Sequence, residues 1–139
     1  MQPLFFICLA VSLASCLDLK KEEKVSEGLK TSEMDIHSNA RPWEAVIRHL
    51  SLDLKADFDL KKLSGTATYD IEVMKGADSI YLDTRDLDIH QVMVNGSKVD
   101  FQSGAKKEWL GQALIIPVNE KSRQILITYS TRPEAEALQ

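Results

Sequence analysis

The sequence predicts an all-β protein, built as an antiparallel β-sandwich or a curved, saddle-like sheet. Apolar and polar residues alternate along several short segments, as they do in strands that bury one face. Turn residues separate these segments at a spacing of roughly 8 to 12 residues, which is typical of sandwiches and barrels. No helical pattern of useful length competes with them, and the fold class follows from these three observations together.

The first two strands are predicted to pair as an antiparallel hairpin. Between residues 48 and 58 the apolar side chains fall on the even positions, from Leu50 onward. A polar turn follows at residues 59–62, and residues 63–73 then repeat the alternation on the odd positions. A period of two is that of a half-buried strand, so both segments are expected to bury one face.

A second hairpin is predicted around Asn95 and Gly96. Residues 89–94 and 99–101 flank this pair, and Asn-Gly tolerates the positive φ angles of a type I′ turn. It is the strongest local signal in the chain.

The remaining strand signals are short apolar segments. They lie at residues 80–82, 109–110, 114–118 and 125–129. Pro117 falls within one of them, and because proline has no backbone N–H to donate, its strand is predicted to be an edge strand or to carry a bulge.

Length and composition indicate one soluble domain. The chain has 139 residues, of which 44% are hydrophobic and 27% charged, and a net charge of −4. This charge provides no broad positive field for phosphates, so nucleic acid is excluded as a partner. The only cysteines are Cys8 and Cys16, so the domain that follows them has no thiol for a disulfide or a metal.

The amino terminus predicts a lipoprotein signal peptide. Residues 4–14 form an uncharged apolar run of secretory length, too short to cross a bilayer as a helix. It ends in Leu-Ala-Ser-Cys, which resembles the lipobox of bacterial lipoproteins, although no Lys or Arg precedes the run. Cleavage is expected between Ser15 and Cys16, with lipid on Cys16; the alternative is an apolar terminus with an incidental cysteine.

The predicted organisation is a signal peptide at residues 1–15, a flexible lipid-anchored tether at 16–40, and a β domain at 41–139. The tether is rich in Lys, Glu, Ser and Thr and has few apolar side chains with which a short helix could bury a face. The predicted location is the periplasmic side of the cell envelope. The outer membrane is favoured over the inner, because Asp18 does not directly follow Cys16.

Candidate chemical residues are few, and each is predicted to be structural. His37, His49 and His90 have neither the spacing nor the neighbouring Glu of a zinc site. The carboxylates around Arg85, those of Asp83, Asp86 and Asp88, are interpreted as turn residues that accept backbone N–H groups or pair with that arginine. Trp43 and Trp109 are predicted to lie in the core rather than on a recognition surface.

Four segments carry a resemblance to a known family. They read DIHSNARP at residues 35–42, HLSLDL at 49–54, LSGTAT at 63–68 and LDTRDLDI at 82–89. Together they resemble the opening β domain of the zinc aminopeptidases related to leukotriene hydrolase and aminopeptidase N. Members of that family hold zinc with a His-Glu-x-x-His motif and a downstream Glu. This sequence contains no such motif, so no catalytic, metal-binding or substrate-binding residue is assigned in it, and the resemblance places zinc in a catalytic domain outside this chain.

Two functions remain open from the sequence. The resemblance implies an amino-terminal scaffold of a membrane-anchored zinc metalloaminopeptidase, inactive alone, whose partners are the catalytic domain, the peptide substrates of the full enzyme and the membrane bound through Cys16. The alternative is a free-standing lipoprotein β-sandwich that binds a protein or a glycan.

Overall fold

The computed structural model describes residues 35–135, and within this range the chain is all-β, as predicted. The predicted signal peptide, Cys16 and most of the tether lie outside the described residues. In residues 35–135 no helix has the length and apolar character needed to cross a membrane. The eight strands are β1 (Ala45–Asp57), β2 (Lys62–Val73), β3 (Ser79–Thr84), β4 (Leu87–Val94), β5 (Ser97–Val99), β6 (Gln102–Ser103), β7 (Gln112–Pro117) and β8 (Gln124–Thr131).

The strands form two sheets, and every strand pair is antiparallel. Five strands make the larger sheet in the order β1-β2-β8-β4-β5, and three make the smaller one in the order β3-β7-β6. One core cluster takes side chains from both sheets, with Val92 and Ile125 from the larger and Leu114 and Ile116 from the smaller. Each of these four is 0–1% exposed, so the main apolar layer lies where the two sheets meet.

The β1–β2 hairpin forms as predicted, but the expected burial of β1 is wrong. Twelve residue pairs join the two strands, from Ala45 opposite Val73 to Asp57 opposite Lys62, with an irregularity at Arg48. Beyond Arg48, every β1 residue up to Ala56 is exposed. The alternation correctly identified the apolar face, but the smaller sheet does not cover this half of the strand.

The predicted type I′ turn is confirmed. Val94 pairs with Ser97, and the two residues between them have φ angles of 49° at Asn95 and 79° at Gly96. The Asn95 side chain also joins the turn to the segment that enters β8. Its Oδ1 accepts the backbone N–H groups of Arg123 at 2.9 Å and Gln124 at 3.1 Å.

The prediction for Pro117 is wrong in one respect. Its strand, β7, is the middle strand of the smaller sheet rather than an edge. Pro117 is the last residue of β7 and pairs with Ser79, whereas β6 reaches only as far as Ile115. The ring is tolerated because, among the described residues, no partner strand lies on that side at this position.

Candidate functional site

The described residues contain no group of three or more His, Cys, Asp or Glu side chains placed to hold a metal ion. His49 lies on β1 and His90 on β4, and β2 and β8 run between them. The register separates these two imidazoles along the strands as well, because His49 aligns through Asp70 with Gln124 of β8, whereas His90 lies near Tyr129. Each sits beside a serine hydroxyl, with Nε2 to Oγ distances of 3.1 Å to Ser51 and 3.0 Å to Ser130.

The third histidine makes an aromatic contact that the sequence did not reveal. The His37 ring meets the Trp109 ring edge-on, with centroids 5.7 Å apart. Trp109 is 56% exposed and Trp43 is 42% exposed, so the prediction that both lie in the core is wrong. Both tryptophans occupy turns outside the strands, where no second layer covers them.

Asp83 holds the segment that precedes β1. Its carboxylate accepts hydrogen bonds from Ser38 Oγ at 2.6 Å, Asn39 N at 2.9 Å and Asn39 Nδ2 at 2.7 Å. Partial burial raises the pKa of this carboxyl, but the bonds from Ser38 and Asn39, with the charge of Lys107, outweigh it and leave the pKa below its ordinary value. The segment that carries the family resemblance is therefore fixed to β3 by a charged acceptor.

The other two carboxylates of this acidic stretch point to different partners. Asp88 accepts a 2.9 Å hydrogen bond from Arg132 Nε, and this bond and its charge raise the pKa of that guanidinium. Asp86 occupies the β3–β4 turn with a φ of 54° and lies 3.9 Å from Arg85 Nε. Only one of the three pairs with Arg85, and the three do not converge on a common site.

Removing the charge of Asp83 is expected to lower stability in a pH-dependent way. Because the folded pKa is depressed, this carboxylate contributes stability above its unfolded pKa of about 3.9, and the contribution is lost as pH falls through the folded pKa. Urea denaturation should therefore find Asp83→Asn less stable than the parent at pH 7, with the difference shrinking toward pH 3. Asp100→Asn, which changes an exposed carboxylate after β5, is the control. A difference for Asp83→Asn that is unchanged at pH 3 would contradict this account.

A cleft of about 490 Å³ opens between the start of β1 and β3. Its lining is mostly apolar, with two charged side chains, Arg41 and Asp83. The Arg41 guanidinium stacks on the Tyr81 ring at 3.7 Å and pairs with Glu44 at 3.2 Å. Since Asp83 is also engaged, both charged groups of the cleft have structural partners, and the cleft presents no arrangement for acid–base or nucleophilic chemistry.

An exposed apolar row on β1 is the most distinctive surface in the described range. Leu50, Leu52 and Leu54 are 46%, 55% and 36% exposed. They lie opposite Tyr69, Ala67 and Gly65 on β2, which places them on the face that packs against the smaller sheet. We refer to these three leucines as the β1 row. Sequence reasoning identified them as apolar and assigned them to the core.

The β1 row continues into the hairpin tip. Phe58 is 89% exposed and Leu60 is 62% exposed. The apolar surface thus runs along the distal half of the hairpin. Contiguous exposed apolar surface of this kind marks sites where another protein layer or ligand packs.

Comparisons with known proteins give one consistent result, although no family model matches the chain. The chain is 38% identical to a leucine aminopeptidase 2-2 of Meyerozyma guilliermondii over 104 residues, which is 73% of this chain and 16% of the relative. It is 43% identical to a leucine aminopeptidase 2 of Yarrowia lipolytica over 89 residues, 62% of this chain and 14% of the relative. The chain thus spans about a sixth of the length of these relatives.

Comparison with solved structures leads to the same group of enzymes. Yeast LTA4 hydrolase in complex with bestatin matches with a TM-score of 0.64 and 28% identity, covering 70% of this chain and 16% of that one. An M1 zinc metallopeptidase of Deinococcus radiodurans shares the fold, with a TM-score of 0.51 at 18% identity, over 66% of this chain and 21% of that one. The chain is therefore a homologue of the leucine aminopeptidases and leukotriene A4 hydrolase, and what it shares with them is consistent with the amino-terminal β domain of the M1 zinc aminopeptidases.

Proposed function

We propose that this chain is the amino-terminal scaffold domain of a zinc aminopeptidase that removes residues from the amino termini of peptides. The zinc ion and the catalytic groups belong to a separate catalytic domain of that enzyme, and the chain is inactive alone. The relationship to leucine aminopeptidases supports this proposal, as does the share of their length that the chain spans.

The β1 row is the observation that carries the proposal. It continues the core face of the larger sheet past the point where the smaller sheet ends, so it is shaped to receive one more layer. Burying apolar surface contributes about 25 cal/mol per Å², so three half-exposed leucines favour association with such a layer. In the proposed enzyme that layer is the rest of the protein, which the hairpin helps to hold in place.

The proposed location is the cell envelope. Acylation of the Cys16 thiol, with cleavage between Ser15 and Cys16, anchors the protein on the periplasmic side, with the outer membrane favoured. The sequence of residues 4–16 supports this part of the proposal. A fatty-acid label that enters the parent chain but not Cys16→Ser is the expected result, and equal labelling of the two would reject the anchor.

A chimeric enzyme tests the scaffold function. The segment of the Yarrowia leucine aminopeptidase 2 that aligns with 89 residues of this chain is replaced by those residues. Hydrolysis of a leucyl reporter by the chimera is then measured with and without a zinc chelator. The chimera is expected to be active and chelator-sensitive, whereas the 139-residue chain alone should show no hydrolysis. In the chimera, Leu52→Ser should reduce activity because the β1 row no longer packs well.

Lys55→Ser is the matched control, because Lys55 lies on the same strand but outside the apolar row. It should leave the activity of the chimera unchanged. A folded chimera without activity would count against the scaffold role. A saturable protein or glycan ligand for the isolated, monodisperse chain would instead favour a free-standing binding module.

A further inference from the structure

The open edge of β1 is a second unassigned feature, distinct from the face that carries the β1 row. This strand has 13 residues and, among the described residues 35–135, lies at the end of the larger sheet and pairs only with β2. An edge strand presents unpaired N–H and C=O groups that can pair with another strand. We propose that β1 pairs antiparallel with β1 of a second copy of this chain, joining the two five-stranded sheets into one.

One register along this edge pairs Lys with Asp and sets no like charges opposite each other. Antiparallel pairing of identical strands puts a twofold axis at one position, and that position decides which side chains lie opposite each other. With the axis at Leu54, Asp53 lies opposite Lys55 of the second copy, and the symmetry makes this pair twice. Neither Asp53 nor Lys55 has an ion pair within residues 35–135, so both are available for it.

The same register matches the apolar side chains. It puts Leu52 opposite Ala56 of the second copy and brings Leu50 beside Phe58. Phe58 is the most exposed of the large apolar side chains in the described range, at 89%. Cross-strand aromatic–aliphatic pairs stabilise antiparallel sheets, so the tip of each hairpin gains a partner in the other copy.

The neighbouring registers set like charges against each other or match fewer opposite ones. An axis at Lys55 opposes two lysines, and one at Ala56 pairs Lys55 with Asp57 but sets Asp53 opposite Asp59. An axis at Asp53 sets two aspartates directly against each other, which is destabilising. An axis at Leu52 sets His49 opposite Lys55 and places no acidic side chain across from a basic one. An axis at Ser51 pairs His49 with Asp53 but leaves Lys55 opposite the irregular part of the strand, without a carboxylate.

The irregularity at Arg48 confines the pairing to the distal half of β1. There the register of β1 against β2 shifts between Ile47 and His49, and such bulges interrupt edge pairing. Pairing centred on Leu54 uses residues 50–58, which lie beyond the irregularity. Within the dimer the β1 rows of the two copies become contiguous and still face outward, so the edge contact leaves free the face assigned above to another layer.

A charge-swap experiment tests both the dimer and its register. The full chain is studied by sedimentation equilibrium in a mild nonionic detergent, at concentrations up to about 100 µM, where a weak dimer is populated. The parent chain should approach twice its monomer mass of 15.6 kDa. Asp53→Lys places two Lys–Lys contacts across the axis and should raise the dimer Kd by about tenfold or more.

Combining Asp53→Lys with Lys55→Asp restores opposite charges in the same register and should return the Kd to about the parent value. Asp100→Lys, the same change at an exposed site beyond β5, should leave the Kd unaffected. Circular dichroism on each variant verifies that the fold is retained. A monomeric parent chain, a double variant no tighter than the single one, or equal Kd values for all variants would each overturn the proposal.

Discussion

Ile125→Ala is expected to lower the free energy of unfolding by about 2–5 kcal/mol, the range for deleting a fully buried aliphatic side chain from a core. Ile125 is 0% exposed and lies on β8, opposite Tyr69 of β2 and Val94 of β4. The substitution removes apolar contacts and leaves a void where the two sheets meet. Urea denaturation should show a lower transition midpoint with an unchanged slope.

Leu52→Ala provides the matched control for this result. It makes a similar aliphatic truncation in the same sheet, but at a side chain that is 55% exposed. Its expected cost is about 0.5 kcal/mol or less, as for surface substitutions generally. An equal loss of free energy of unfolding in the two variants would mean that the β1 row is buried in solution. That result would contradict the exposed hairpin face.

Gly111→Ala is expected to lower the free energy of unfolding by about 2–4 kcal/mol, from backbone strain and steric overlap together. Gly111 has a φ of 81°, a conformation that residues with a Cβ rarely adopt. A Cβ at this position would also overlap the carbonyl oxygen of Thr84, where the end of β3 passes the start of β7. The strands would have to separate, and a thermal or urea melt should detect the loss.

Gly76 separates these two causes. Its φ is 82°, almost the same as that of Gly111, but a Cβ there would meet no atom within 4 Å. Gly76→Ala should therefore cost about 1–2 kcal/mol, from the left-handed conformation alone. If it proved as costly as Gly111→Ala, the contact with Thr84 would play no part in the loss.

The sequence could predict the strands of this fold because their signals are local. Alternation every second residue marked β1, β2 and β8, and Asn95 with Gly96 marked the β4–β5 turn. Each signal depends only on neighbours in the chain, so no knowledge of the tertiary structure is needed.

What the sequence could not predict depends on distant parts of the chain. Alternation shows which face of β1 is apolar, but not whether a second layer covers that face. The exposure of the β1 row therefore could not be predicted. The bonds from Ser38 and Asn39 to Asp83 join residues more than 40 positions apart. No periodic pattern marks such a contact, although its aspartate and its asparagine both lie in segments that resemble the aminopeptidases.

The features of the candidate site also divide into those that the sequence could predict and those that it could not. The sequence predicted structural roles for His37, His49 and His90, and the structure places them apart, beside Trp109, Ser51 and Ser130 respectively. The β1 row and the β1 edge depend on the arrangement of the strands, which no local pattern in the sequence specifies.

The position of β8 in the larger sheet has a consequence for the order in which the protein folds. β8 is the last strand of the described chain, yet it lies between β2 and β4 and is the only link between the β1–β2 and β4–β5 hairpins. During synthesis the two hairpins can form early, since each needs only local contacts. They cannot join into one sheet until β8 has left the ribosome, so the apolar face of each hairpin stays open to solvent, and to aggregation, from its own synthesis until that of β8.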